Sequence, residues 1–353
     1  MSSWRDYAKK VVPYVPGEQP AMKFAVKLNT NENPYPPAPG VSKALEQFPA
    51  ESLRLYPDPE ARGLVRAIAA RYGVESGQVF VGVGSDDVLA TAFLTFFTGG
   101  KKILFPDVTY SFYPVWADCY GIPYEKVPLD AEWKIDPAQY TGDIGGIIFA
   151  NPNAPTGIAL PLDGVREILE QNREVLVIVD EAYVDFGGES AVSLLDEYDN
   201  LLVVQTFSKS RSLAGLRIGY ALGSEEMIRA LMNVRCSINS YTMSRPAIEA
   251  GTAALEDEEY FNMTLDAIVD TREETKEALT EMGFTCLDSQ ANFLFVTHPD
   301  AQAEALYREL KDREVFVRYF AQPRIDNWLR ITVGTPRQMQ ILLDALRRIL
   351  HAR

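Results

Sequence analysis

Lys209 stands in "TFSKSRSLAGLRIGY", residues 206–220, a segment that follows the apolar run Leu201-Leu202-Val203-Val204. A run that short and β-prone reads as a buried strand, which delivers the amine at the strand's carboxyl end. Taken alone, such a lysine is a solvated loop residue. Three other segments place polar groups at the same kind of position. "VIVDEAYVDF" ends an apolar run in Asp180, "VGVGSDD" ends one in glycines before Ser85-Asp86, and "FANPNAPTG" ends one in Asn and Pro. Singly, Ser85 and Asp86 read as helix caps and residues 151–157 as a tight turn. Asp180 is different, because a carboxylate behind β-branched residues is at least partly buried and must find a partner. In open α/β sheets the ligand crevice lies outside the carboxyl ends of the strands, so the four positions point to one site.

Their joint chemistry is specific. A lysine amine forms a Schiff base with an aldehyde, a buried carboxylate holds a pyridine nitrogen protonated, and a glycine-bounded helix start with Ser and Arg nearby holds a phosphate. Those are the demands of pyridoxal 5'-phosphate. Asp180 and Tyr183 lie three residues apart, Lys209 follows the next strand, and Arg217 comes eight residues later. With only two histidines, His298 and His351, proton transfer falls to lysine, tyrosine and carboxylates.

Positioning these groups requires alternating strands and helices. "QVFVGV", "KKILFP", "GGIIFANP", "VLVIVDEA", "LLVVQTF" and "IGYALG" read as strands, and residues 60–72, 86–97, 110–120 and 161–172 as helices. The fold class expected is α/β: a large domain with a mostly parallel central sheet over residues 41–240, plus a smaller α/β C-terminal domain over 241–353. Residues 1–40 are proline-rich and read as an extended arm that packs with the small domain. The small domain should open with a long amphipathic helix ending at Gly283, carry strands "NFLFVT" and "VFVRYF", and close with a helix capped by Thr335 and Gln338.

Composition sets outer limits. At 353 residues the chain is too long for one ordinary core. A formal net charge of −15 removes the general attraction that drives nucleic-acid or anionic-membrane binding, so any anion must be met by locally placed cations. The polar start "MSSWRDYAKK" and the lack of a membrane-length apolar run lead to the expectation of a soluble, cytoplasmic protein. Three scattered cysteines, Cys119, Cys236 and Cys286, read as reduced, with no metal site implied.

The chain resembles the fold-type-I, aspartate-aminotransferase-like enzymes, and within them the histidinol-phosphate aminotransferases. The resemblance rests on "LNTNENPY" (28–35), "RLYPDPEARGLVRAIAARYGV" (54–74), "GSDD" (84–87), "DEAYVDF" (180–186), "FSKSRSLAGLRIGY" (207–220), "QANFLFV" (290–296) and "LRITVGTP" (329–336). It implies that Lys209 is the Schiff-base lysine and proton carrier, that Asp180 pairs with the pyridine nitrogen, that Tyr183 meets the phenolic oxygen and that Tyr110 stacks on the ring. Ser85, Asp86 through its backbone N–H, Ser208 and Arg217 would surround the phosphate. Tyr56 would reach the neighbouring subunit's phosphate in a homodimer. Arg330, Arg318 and Tyr14 would bind a phosphorylated substrate, bidentate guanidinium pairing being suited to phosphate oxygens. A plain alternative for Arg318 is a strand residue lying along the surface.

The activity so implied is transfer of the amino group of L-histidinol phosphate to 2-oxoglutarate. A threonine-phosphate decarboxylase of cobalamin synthesis and an aromatic amino acid aminotransferase are the alternatives, and a non-catalytic cofactor-binding protein is a third class. Ala154 stands where the family carries the asparagine that contacts the phenolic oxygen, so either Asn153 takes that role or Tyr183 holds the oxygen alone. Arg211, where many relatives carry an aromatic residue, either adds charge near the cofactor or faces solvent.

Overall fold

The computed structural model describes residues 3–21 and 25–351. Its strands, in chain order, are β1 (Val26–Lys27), β2 (Val79–Gly82), β3 (Ile103–Pro106), β4 (Tyr124–Val127), β5 (Gly146–Ala150), β6 (Val177–Asp180), β7 (Leu201–Thr206), β8 (Gly219–Leu222), β9 (Thr285–Cys286), β10 (Phe293–Thr297), β11 (Val315–Phe316), β12 (Arg318–Tyr319) and β13 (Leu329–Thr332). Seven form one sheet in the order β2-β8-β7-β6-β5-β3-β4. β8 alone runs against its neighbours; β3 to β7 pair in parallel.

The central strands are apolar on both faces because helices cover both. Val177, Val179, Leu201 and Val203 share a core with Leu64, Ile68, Val165 and Ile168. Ile178, Leu202 and Val204 point the other way, onto Val88, Phe93 and Tyr113. Helices Arg62–Tyr72 and Leu162–Gln171 supply the first layer, Ser85–Phe96 and Phe112–Tyr120 the second. Each fully buried aliphatic residue contributes about 1.5–3 kcal/mol, so a one-residue slip of β6 would cost several such burials and turn Asp180 away from Tyr113.

The reversal of β8 builds part of the site. Gly219 is in register with both Gly82 of β2 and Thr206 of β7, so residues just before β8 join those just after β2 and β7. Only glycine fits at 219, since a Cβ would lie 2.2 Å from the Ser85 backbone nitrogen.

A second, antiparallel sheet has the order β12-β13-β10-β9 and buries Leu294 and Ile331 against Leu306, Leu342 and Leu346. The long helix runs Glu258–Glu281, buries Phe261, Ile268 and Leu279, and gives way at Gly283, where φ is 90°. The final helix carries the expected cap: Thr335 N donates to Gln338 Oε1 at 2.8 Å, and Gln338 N to Thr335 Oγ1 at 3.3 Å.

"VFVRYF", expected as one strand, divides in two. β11 pairs in parallel with β1 of the arm, whereas β12 pairs with β13. The arm supplies a strand edge that satisfies β11, and its Leu28 enters the small core. No helix among the described residues is long and apolar enough to cross a membrane.

Candidate active site

The carboxyl edge of the large sheet, the arm and the second sheet meet at a cavity of about 480 Å³. Lys209, half-buried, sends Nζ to the Thr30 carbonyl at 3.2 Å and sits 5.7 Å from the centre of the Tyr183 ring. Its backbone is held separately: Asn33 Nδ2 donates to the carbonyls of Lys209 (3.0 Å) and Ser210 (3.1 Å).

Asp180 ends β6 and is 4% exposed. Its Oδ2 accepts from the Tyr113 hydroxyl at 2.8 Å, while Oδ1 is buried without a partner. Burial pushes the carboxyl up to about 6, with the Tyr113 bond opposing. The side chain lines the cavity, where a cationic donor would satisfy Oδ1.

Opposite lies an anion cup. Helix Ser85–Phe96 starts from Gly84 with no side-chain cap, leaving its first N–H groups open. Arg217 reaches this end, with Nη1 3.4 Å from Ser208 Oγ and Nη2 3.2 Å from Asp86 Oδ2. A Cβ at Gly84 (φ 86°) would lie 2.5 Å from Arg217 Nη2, so glycine admits the guanidinium. Arg217 adopts φ 54°, a left-handed backbone costing on the order of 1–3 kcal/mol in a non-glycine residue. The Tyr110 hydroxyl donates to Asp86 Oδ1 at 2.8 Å, and burial followed by the Asp86 charge raises it well above the usual tyrosine range.

Across the cavity, Arg318 and Arg330 face each other directly in the β12–β13 register. Arg330 Nη2 donates to Asn29 O at 3.1 Å, its Nε is buried without a partner, and burial lowers its pKa. Arg318 Nη2 donates to Val15 O at 3.3 Å. Directly opposed like charges are destabilising in a sheet, and an anion between them would relieve the repulsion. Tyr14 closes the wall, stacked on Phe112 at 4.2 Å.

Residues 24–346 match the family Aminotransferase class I and II. The chain belongs to the class I and II aminotransferases. A histidinol-phosphate aminotransferase of Pseudomonas putida (strain W619) is 52% identical over 343 residues, 97% of this chain and 99% of its own. A solved histidinol-phosphate aminotransferase from Sinorhizobium meliloti, in complex with pyridoxal-5'-phosphate, superposes with a TM-score of 0.83 at 25% identity, over 92% of this chain and 90% of that one. L-threonine-O-3-phosphate decarboxylase from Porphyromonas gingivalis shares the fold, with a TM-score of 0.80 at 21% identity over 92% of this chain and 99% of its own. The fold is therefore that of the fold-type-I transferases.

Pyridoxal phosphate is the cofactor of the class I and II aminotransferases, and this aminotransferase cavity fits it. The unpartnered Asp180 Oδ1 suits a protonated ring nitrogen, the uncapped helix end with Arg217 and Ser208 suits the phosphate, and Lys209 lines the same cavity. Every residue expected at the site lines the cavity except Asn153 and Tyr56. Asn153 spends its amide within its own surroundings: Oδ1 accepts from Thr109 Oγ1 (2.9 Å), and Nδ2 donates to Val108 O (3.0 Å) and Thr156 Oγ1 (3.1 Å). Ala154 lines the cavity in its place. Tyr56 lies outside, 75% exposed and stacked on Tyr241 at 4.6 Å.

Arg211 follows neither expected course. It is buried, donating to Ala254 O at 2.6 Å and lying 3.9 Å from the Phe261 ring centre, where it ties the lysine loop to the long helix. Sequence reasoning missed Tyr113, Asn33 and Asn31, whose Nδ2 donates to the Tyr183 hydroxyl at 2.9 Å. Both asparagines sit in "LNTNENPY", and that density of side-chain amides was the available signal.

Proposed function

We propose that this protein is the pyridoxal-phosphate-dependent aminotransferase that converts L-histidinol phosphate and 2-oxoglutarate to imidazole-acetol phosphate and L-glutamate, a step of histidine biosynthesis. The observation that carries the reading is the Arg318–Arg330 pair lining the same cavity as Lys209. It supplies the local cations that an acidic chain needs for a phosphorylated amine, and full-length similarity to histidinol-phosphate aminotransferases supports the same substrate.

In this reading Lys209 would hold the cofactor by its aldehyde end and, with its amine freed by the substrate, would carry a proton to and from the substrate Cα. The bound cofactor supplies the electron sink for that proton's loss. Asp180 Oδ1 would pair with the ring nitrogen, Tyr183 would donate to the phenolic oxygen, and Tyr110 would lie against the ring. Ser85, Ser208, Arg217 and the Asp86 N–H would hold the cofactor phosphate, Asp86 by its backbone because its carboxylate would repel the dianion. Arg318, Arg330 and Tyr14 receive the substrate phosphate, and the guanidiniums receive a carboxylate of 2-oxoglutarate in the return half-reaction.

Visible absorbance of the protein loaded with pyridoxal phosphate tests this. Loss of the band on adding histidinol phosphate alone, reversed by 2-oxoglutarate, is the expected result. Carbon dioxide release from O-phosphothreonine without an oxo-acid would instead establish the decarboxylase. Replacing Arg318 by Leu should raise KM for histidinol phosphate roughly 10- to 100-fold with a smaller change in kcat, the loss of one charge-assisted contact. An unchanged KM would return Arg318 to the surface reading.

The reading includes a cytoplasmic homodimer. Free cysteines suit a reducing compartment. Leu53, Leu55 and Tyr56 are exposed beside the stack with Tyr241, an apolar surface suited to a second copy. If Tyr56 serves the neighbouring site, mixing Tyr56→Ala and Lys209→Ala proteins under exchange conditions should restore activity that neither has alone. No gain above the sum of the two would reject shared sites.

A further inference from the structure

The hydrogen bonds around Tyr183 have a fixed direction. The Asn31 backbone N–H donates to Thr332 Oγ1 at 2.9 Å, so that oxygen accepts there. Thr332 gives its own hydrogen to Asn31 Oδ1, 3.0 Å away. The amide is thereby oriented with Nδ2 toward the Tyr183 hydroxyl at 2.9 Å. An amide nitrogen does not accept, so the Tyr183 oxygen does, and its proton is left for another acceptor. Tyr183 lines the cavity, which is where that proton can go.

Burial makes the arrangement consequential. Asn31 is 1% exposed and Thr332 3%, so water does not compete for these groups. Asn292 Nδ2 also clamps the Asn31 carbonyl at 3.0 Å. On the same wall Ala154 offers no side-chain donor, and the amide of Asn153 is fully engaged elsewhere.

We infer that Asn31, oriented by Thr332, is a positioning residue that holds the Tyr183 proton toward the phenolic oxygen of the cofactor and so makes good the donor that Ala154 lacks. This rests on reading the cavity as the pyridoxal phosphate site. The three residues come from the arm, β13 and the turn after β6, so the donor is set only when arm and second sheet close on the first.

A donor to the phenolic oxygen stabilises its anion and loosens its hold on any neighbouring proton. Losing the donor therefore raises the pH midpoint at which the visible band of the bound cofactor changes, a readout that needs no substrate and no turnover. Tyr183→Phe should raise that midpoint by about one pH unit. Asn31→Asp, which turns the neighbour into an acceptor and draws the Tyr183 proton away, should raise it at least as far. Asn31→Leu should give a smaller rise that vanishes in the Tyr183→Phe background, because the residue acts only through that hydroxyl. Thr332→Val frees the amide to turn over and should follow the Asn31→Leu pattern, which provides the same test if Asn31→Leu does not fold.

A wild-type midpoint in Asn31→Asp protein of unchanged melting temperature overturns the inference. So does an Asn31→Leu shift of equal size with and without the Tyr183 hydroxyl. Wild-type protein that develops no visible band with pyridoxal phosphate overturns the functional reading and this inference with it.

Discussion

Lys209→Ala is expected to lose at least about 10⁴-fold in turnover while keeping its fold, since one amine is asked both to bond the aldehyde and to move the proton. The structure gives a reason to expect the fold to survive. The Lys209 backbone is held by Asn33 through carbonyls, and its amine makes one bond to Thr30 O on the cavity wall. Steady-state assay with histidinol phosphate and 2-oxoglutarate, beside circular dichroism melts of both proteins, checks the two halves separately. Borohydride treatment should fix the cofactor to wild type and not to the variant. Full activity in Lys209→Ala would remove the mechanism, whereas an unfolded variant would mean that the amine also closes the arm onto the sheet.

Much of this site was readable because strand ends leave a local mark. Asp180 directly follows an apolar run, Ser208 and Lys209 come a few residues after one, and a polar residue at such a strand end has few places to point other than the crevice. The strands were legible for the same reason: both faces are buried, so β5, β6 up to Val179 and β7 up to Val204 are continuously apolar. What failed was pairing at a distance. Nothing local in "VFVRYF" says that Val315–Phe316 turns to the arm while Arg318 turns to Arg330, because that division depends on which edge each backbone finds. The reversal of β8 is equally silent, although it is what brings Arg217 to the end of the helix from Ser85.

Side-chain amides were the other blind spot. Asn31 and Asn153 are both nearly inaccessible, and asparagine in a proline-rich stretch reads as turn chemistry in either case. Only the partners around them separate the two: Asn153 is used up by Val108, Thr109 and Thr156, whereas Asn31 is held by Thr332 and donates to Tyr183. Asp180 could be singled out by sequence, but its partner Tyr113 could not, being one aromatic among several on helix Phe112–Tyr120.

Asp180→Asn should move activity and stability in opposite directions. Asparagine keeps an acceptor for the Tyr113 hydroxyl but cannot balance a positive ring nitrogen, so kcat is expected to fall about 10²- to 10³-fold and cofactor to dissociate more readily. The cofactor-free protein should respond otherwise. Burial raises the Asp180 carboxyl from 3.8 to about 6, so the folded chain retains a proton that the unfolded chain gives up. That favours folding fully below about pH 4, and the benefit is lost as pH rises to about 6. Above that the buried anion costs about 3 kcal/mol relative to acid conditions. Glu181, also raised by burial, to about 7, is present in both proteins and cancels in their difference. Urea unfolding without pyridoxal phosphate should therefore show the variant gaining on wild type by about 3 kcal/mol between pH 4 and pH 7, with added cofactor reversing the order. A difference that does not vary with pH would mean that Asp180 is solvated in the empty cavity and its Oδ1 is not the unmet acceptor on which the cofactor fit depends.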